Sequence, residues 1–228
     1  MRQPIGLPFR LDLAPPLLVV RFDEPVDTVG WSILAPGFGS TREIVWLEVH
    51  DRDLPIDIDP VVFLRERLAA EALGGAAAFM TSRDIRRHHI AQSVIGGAGA
   101  TCVATVGLSN AERVGRRRRS QAHAFGTINT LIHSSRPLSK GAFIEAVSIA
   151  TQARTAAVME SCDRRDTAPA TGTGTDCIIV AAPKGDRPES CVGLHTDLGE
   201  AIGAAVYDAT SAGATEWRAE SILPEGTE

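Results

Sequence analysis

HHIAQSVIGGAGATCVATVGLSN, His88 to Asn110, sets two β-rich runs on either side of a glycine cluster, Gly96 to Gly99, and reads as an antiparallel hairpin. AAFMTS, starting at Ala77, precedes it as another strand. Upstream, Asp59-Pro60 supplies an N-cap and a first-turn proline for a helix over about 60–73, closed by Gly74-Gly75. Earlier still, Leu17 to Phe22, Val29 to Leu34 and Ile44 to Val49 are short apolar runs ended by Asp-Glu-Pro, Pro-Gly and an acidic loop, which suggests a meander of three strands. Downstream come a strand from Gly126 to His133, an Ala-rich helix from Leu138 to Cys162, a strand from Asp176 to Ala182 and a second Ala-rich helix from Gly193 to Ala214. Phe143, Val147, Ala150, Ala153 and Ala157 give the first of these helices an apolar stripe of mostly small residues. Strands in succession, followed by strand and helix in turn, predict an α+β fold with a mixed, largely antiparallel sheet packed against two long Ala-rich helices.

A chain of 228 residues, 44% hydrophobic and 22% charged, is long enough for one sizeable core, so residues 1–228 read as a single domain with its core at about 17–214 and a frayed end over Pro224 to Glu228. The net charge of −5 gives no general attraction to a phosphate backbone or an anionic membrane, which argues against nucleic-acid and membrane partners. The N-terminal stretch is broken by proline and charge instead of forming a signal-peptide core, so the expected location is cytoplasmic. Cys102, Cys162, Cys177 and Cys191 include no CxxC pair and read as reduced thiols in or near the core.

The densest chemical signal is ATGTGTD, Ala170 to Asp176, just before a strand. Thr171, Gly172, Thr173, Gly174 and Thr175 set hydroxyls beside exposed backbone amides that can hold an anion or a polarised carbonyl oxygen. A flexible loop is the plainer alternative, and a P-loop is excluded because no Lys follows the glycines. In GLHTDLGEAIG, Thr196 caps the last helix with Asp197 and Glu200 in its first turn, while His195 sits just outside the cap as a candidate proton carrier. Asn129 is unfavourable inside a strand unless its amide is used, and alternation puts Thr127, Asn129 and Leu131 on one face with Ile128, Thr130 and Ile132 on the other. Asn110 is a weaker candidate, since Ser-Asn is ordinary turn chemistry. Neighbouring His88 and His89 point to opposite faces of a strand, and no His and carboxylate spacing suggests a metal site.

TVGLSNAERVG, FGTINTLI, PLSKGAFIEAVSIATQARTAAV, ATGTGTD and GLHTDLGEAIGAAVYDA, in this order, resemble the adenosylcobinamide amidohydrolase family of corrinoid salvage. With LLVVRF at Leu17 and FMTSRD at Phe79 to Asp84, which contains Thr81, the resemblance covers about Leu17 to Ala209. It implies a hydrolase that removes the aminopropanol arm from adenosylcobinamide, with pseudocobalamin-type corrinoids as further substrates of some members, needs no cofactor because cobalt enters only with the corrinoid substrate, and leaves homo-oligomerisation open; a non-catalytic corrinoid carrier or sensor is the alternative. Three positions depart from the family pattern: Asp197 stands where HTKLG carries Lys, and Gln152 and Arg154 stand where an acid and Lys are usual. These changes are expected to leave the Gly-Thr loop untouched. The basic run Arg116 to Arg119, with Arg113, is also unlike the family and reads as a solvated loop or a phosphate contact.

Amide hydrolysis needs a base or nucleophile, an oxyanion contact and an acid for the leaving amine. The expected assignments are the Thr171 to Asp176 loop for the oxyanion, Asp176 or Glu200 as base or orienter, and His195 for proton transfer. Thr173 or Thr175 as nucleophile is the alternative. Asn110, Thr127, Asn129, Thr81 and Thr196 are the expected substrate contacts, and Asp176→Asn is expected to remove most hydrolysis while leaving the fold intact.

Overall fold

The computed structural model describes residues 6–116, 126–162 and 168–222. The tail expected to fray and Arg117 to Arg119 lie outside them. The strands are β1 (Arg10–Ala14), β2 (Leu17–Gly30), β3 (Gly37–Glu48), β4 (Ala77–Thr81), β5 (His88–Ile95), β6 (Ala98–Val106), β7 (Ala111–Glu112), β8 (Ile128–Ser134), β9 (Gly172–Thr173) and β10 (Cys177–Ala182). The helices are α1 (Pro60–Ala70), α2 (Lys140–Ser161) and α3 (Asp197–Ile222). Among the described residues eight strands form one mixed sheet in the order β4-β3-β2-β10-β8-β6-β5, with β1 beside β2, while β7 and β9 pair separately. Only β3 with β4 and β8 with β10 run parallel. The fold is α+β, as the pattern of runs predicts.

The glycine cluster closes the β5–β6 hairpin as expected. Gly96 and Gly97 have φ of 53° and 80°, the left-handed region that a two-residue hairpin turn demands and that side chains with a Cβ resist. Asp59 caps α1 by accepting from Val61 N at 2.7 Å and Val62 N at 3.3 Å.

Three differences from the sequence reading have physical causes. The runs Leu17–Phe22 and Val29–Leu34 are not two strands: β2 continues through Asp23-Glu24-Pro25, which is absorbed as a register shift against β3 between Arg21 and Val26. Trp31 to Leu34 then leaves the ladder, touching it again where Leu34 bridges Ala78. β1 adds a strand that the analysis above did not anticipate, paired antiparallel with the first part of β2 across a short Pro15-Pro16 turn. Helix α3 runs past Ala214 because Glu216 and Glu220 pair with Arg83 and Arg87, and Glu216 also accepts from His89 or its protonated ring at 2.9 Å.

The sheet folds over on itself, and its two faces belong to different cores. Alternate residues of β2, β3, β4, β8 and β10, among them Leu18, Val20, Ile44, Trp46, Phe79, Leu131 and Ile179, meet in an inner core. The opposite faces of β6, β8 and β10 pack on α2 and α3, and those of β3 and β4 on Leu64 and Leu68 of α1. Period-two alternation therefore places Leu131 inward and Ile128 and Ile132 toward the helices. Cys102 and Cys177 are buried and all four cysteines are free, but Cys191 is exposed, outside the core where the sequence reading put it.

His133 is buried on the inner side, stacked on Phe22 with ring centroids 5.4 Å apart and edge-on to Phe9 at 6.2 Å. Desolvation lowers its imidazole from 6.5 to about 4. Because the folded value lies below the unfolded one, the unfolded chain takes up the proton first as the solution is acidified. The stability contribution is complete above about pH 6.5 and is lost as the pH falls toward about 4. We expect urea midpoints to drop across that window and His133→Leu to flatten the drop; equal slopes in the two proteins would overturn this account.

Candidate functional site

β8 and β10 start side by side, with Cys177 opposite Asn129. Where they start, and where β3 and β4 end, a cavity of about 810 Å³ opens. Trp31, Ile33, Val49, Leu54, Ile56 and Phe79 supply its apolar wall. The polar lining includes His50, Asp51, Thr81, Ser82, Asn110, Thr127, Asn129, Thr175 and Asp176. Six of the sequence candidates, Thr81, Asn110, Thr127, Asn129, Thr175 and Asp176, are thereby brought together.

Asp176 organises this floor. Its Oδ1 accepts from Ile128 N at 3.1 Å and from the Thr173 hydroxyl, and its Oδ2 accepts from Thr173 N at 2.9 Å. Arg154 Nη1, reaching from α2, lies 3.3 Å from Oδ2, and both side chains are about nine-tenths buried. The carboxylate thus accepts three hydrogen bonds and lies beside the guanidinium. The backbone turns tightly here: a Cβ on Gly172 would stand 2.3 Å from Asp176 Oδ2. Asp176 is held as part of the loop, and Asn in its place would forfeit the ion pair with Arg154.

The remaining loop hydroxyls are also committed. Thr175 donates to Gly126 O at 3.1 Å, and Thr127 donates to Thr175 O at 2.9 Å. Thr171 and Thr173 are drawn away from the cavity lining by the β7–β9 pairing, where Thr171 N donates to Glu112 O at 2.8 Å. Gly172 goes with them, and a Cβ on Gly174 would meet Asn110 Nδ2 at 3.9 Å. Thr173 thus has a carboxylate partner but no place on the cavity wall. Trp31 closes over the loop from the other half of the sheet, its indole N–H donating to Asp176 O at 2.7 Å.

Asn129 uses its amide as the strand position demanded, but on protein: Nδ2 donates to Met80 O at 2.7 Å, joining β8 to β4 across the fold of the sheet. Asn110 Oδ1 is buried with no hydrogen-bond partner among the described residues. Cys177, the thiol in the lining, is pushed up to about 12 by burial and by the neighbouring Asp176 charge, so it stays protonated near neutrality.

His195, Thr196 and Glu200 are not part of this site. Thr196 caps α3, accepting from Gly199 N at 3.0 Å, and the Asp197 carboxylate lies against Gly96 in the β5–β6 turn. That turn is at the far end of β6 from Val106, which pairs with Ile128 beside the cavity. Nine strand residues, roughly 27–30 Å, separate the two ends. His195 and Glu200 therefore lie away from the cavity that gathers the other candidates. The imidazole in the cavity lining is His50, in EVHDRD just after β3, which the sequence reading passed over because a lone His beside acids in a loop has no periodic or motif signal. Its Nε2 is 3.7 Å from Glu48 Oε1.

Residues 9–222 match the family model of adenosylcobinamide amidohydrolase. The chain belongs to that family. Among curated proteins none matches it. The crystal structure of the PH0078 protein from Pyrococcus horikoshii OT3 is similar over 86% of this chain and 76% of that one, at 10% sequence identity and a TM-score of 0.39.

Of the three positions that the sequence reading singled out in this adenosylcobinamide amidohydrolase family member, Arg154 is the one that reaches the Gly-Thr loop. Gln152 is an exposed side chain bonded to Ser148, and Asp197 lies at the distant turn, whereas Arg154 touches the Gly-Thr loop through Asp176. The expectation that these changes spare the loop is therefore corrected. In the basic segment, Arg113 donates to Pro169 O at 2.6 Å and bridges Arg116, which holds that part of the loop against the protein. No helix of the described residues is long and apolar enough to cross a membrane, and no cluster of three metal-ligating side chains occurs among them.

Removing one partner of a buried ion pair leaves the other charge uncompensated, at a cost of about 3–5 kcal/mol. Asp176→Asn should lower the unfolding free energy by about that amount in urea, and adding Arg154→Met should recover part of it. A loss below about 1 kcal/mol, the value of an exposed pair, would show that the loop does not depend on this carboxylate.

Proposed function

We propose that this protein hydrolyses the amide between a corrin side chain and aminopropanol in adenosylcobinamide, releasing adenosylcobyric acid for cobalamin salvage. The observation that carries the reading is the cavity. At about 810 Å³ it is in the upper part of the range for small-molecule sites, roughly 300–1,000 Å³, and it joins an aromatic and aliphatic wall to a floor of amide and hydroxyl groups. A corrinoid has that character too, a broad apolar macrocycle edged with carboxamides.

On this reading the wall from Trp31 to Phe79 takes the ring edge, while Asn110 and the Thr175–Asp176 stretch face the scissile carbonyl. Amide donors fixed in place stabilise an oxyanion more than mobile water does, because they need no reorganisation as charge develops. Asp176 contributes by freezing that stretch. The chemistry needs no cofactor beyond the cobalt already in the substrate, and the partner is a small corrinoid molecule.

The test is direct. Purified protein incubated with adenosylcobinamide should yield cobyric acid and free aminopropanol by mass spectrometry. Binding of the corrinoid, seen in its visible spectrum, without product would make the protein a carrier or sensor instead. Neither binding nor product would remove corrinoids from the reading altogether.

A further inference from the structure

Building on the hydrolase reading, we propose that His50 carries the proton in amide hydrolysis and that Glu48 positions its ring. The titratable side chains of the cavity lining are His50, Asp51, Asp176 and Cys177. Asp176 is buried and already accepts from Ile128 N and from Thr173 beside the Arg154 guanidinium, and the Cys177 thiol is held protonated by burial. Asp51 stands exposed on the rim. His50 is the lining group that combines access to the cavity with a carboxylate beside its ring, and imidazole is the side chain most often used as general acid and base.

The surroundings of His50 are built to aim it. Its side chain is 53% exposed, open to a substrate, while that of Glu48 behind it is 15% exposed. Glu48 Oε2 accepts from Ile85 N at 3.2 Å, which turns Oε1 toward His50 Nε2 at 3.7 Å. The backbone is tied as well: His50 N donates to Asp53 Oδ2 at 2.8 Å, and Val49 N donates to Thr81 O at 2.9 Å. Residues two apart at a strand end share a face, which places Glu48 and His50 together. Glu48 thus stands beside the Nε2 edge of the ring, where its carboxylate can steady the imidazolium formed in the reaction.

The step balances with water as the only co-reactant. Water oxygen bonds to the amide carbon as its proton passes to the His50 imidazole, giving a tetrahedral oxyanion. The carbon–nitrogen bond then breaks, and the imidazolium returns the proton to the departing nitrogen. The products are a carboxylic acid on the corrin side chain and the free amine, with His50 neutral again.

The experiment is steady-state kinetics of the full chain on adenosylcobinamide, with corrinoid binding followed separately by visible absorbance. His50→Ala should lower kcat by about 10²-fold or more with KM little changed, and added imidazole should restore part of the rate. Glu48→Gln should lower kcat by about tenfold, again without raising KM, because the ring stays but is poorly aimed. If the parent protein turns over and His50→Ala keeps its kcat, or loses only KM, or is not rescued by imidazole, the assignment of His50 fails while the hydrolase reading stands. No turnover in the parent protein overturns both.

Discussion

One carboxylate fixes the architecture of the candidate site. Asp176 ends the Gly-Thr loop and begins β10, and it is held by the backbone at the start of β8, by Thr173 within its own loop and by Arg154 from α2. Strand, loop and helix therefore share one low-dielectric contact, where an ion pair is little screened by salt and an unpaired partner is costly. The rest of the floor follows from it. With Asp176 in place, its carbonyl receives the Trp31 indole, Thr127 reaches the Thr175 carbonyl, and Thr175 reaches Gly126.

The second constraint is the doubling of the sheet. β8 and β4 are not ladder neighbours, yet Asn129 donates to Met80 O and their inner faces share one core with Trp46 and Phe79. The cavity sits at the edge of this contact, so its apolar wall continues the core and its polar floor consists of the loops that leave the sheet. That arrangement explains how a site rich in backbone hydrogen bonds can also be lined by aromatic and aliphatic side chains. Helices α2 and α3 cover the opposite face, and the small residues of α2, such as Ala142, Ala146 and Ala150, let it lie close to β10 and α3.

Features governed by local chemistry were legible in the sequence. The Gly96-Gly97 turn, the Asp59 cap and the alternation along β8 each follow from a few adjacent residues, and the structure has them where the pattern placed them. Features governed by tertiary contact were not. Asp-Glu-Pro looks like a strand terminator, but pairing with β3 and β10 on either side carries β2 through it. His195 was attractive because nothing local explained it, and only the course of α3 along β6 shows that it is far from Asp176. Conversely, nothing near His50 in the sequence marks it, since its relation to the cavity arises from the fold of the sheet. Nothing local in the sequence marks Arg154 as buried, since its place against Asp176 depends on how α2 docks.

The doubled sheet also acts as a calliper. His50 is carried by the β3–β4 half and Asp176 by the β8–β10 half, so the gap between them is set by the side chains packed in the inner core, Trp46, Phe79, Leu131 and Ile179 among them. Close-packed interiors transmit even a single methylene's change in volume. The thickness of that core is thus a dimension of the cavity, and residues packed behind its wall, such as Trp46 and Leu131, hold the two jaws at their separation.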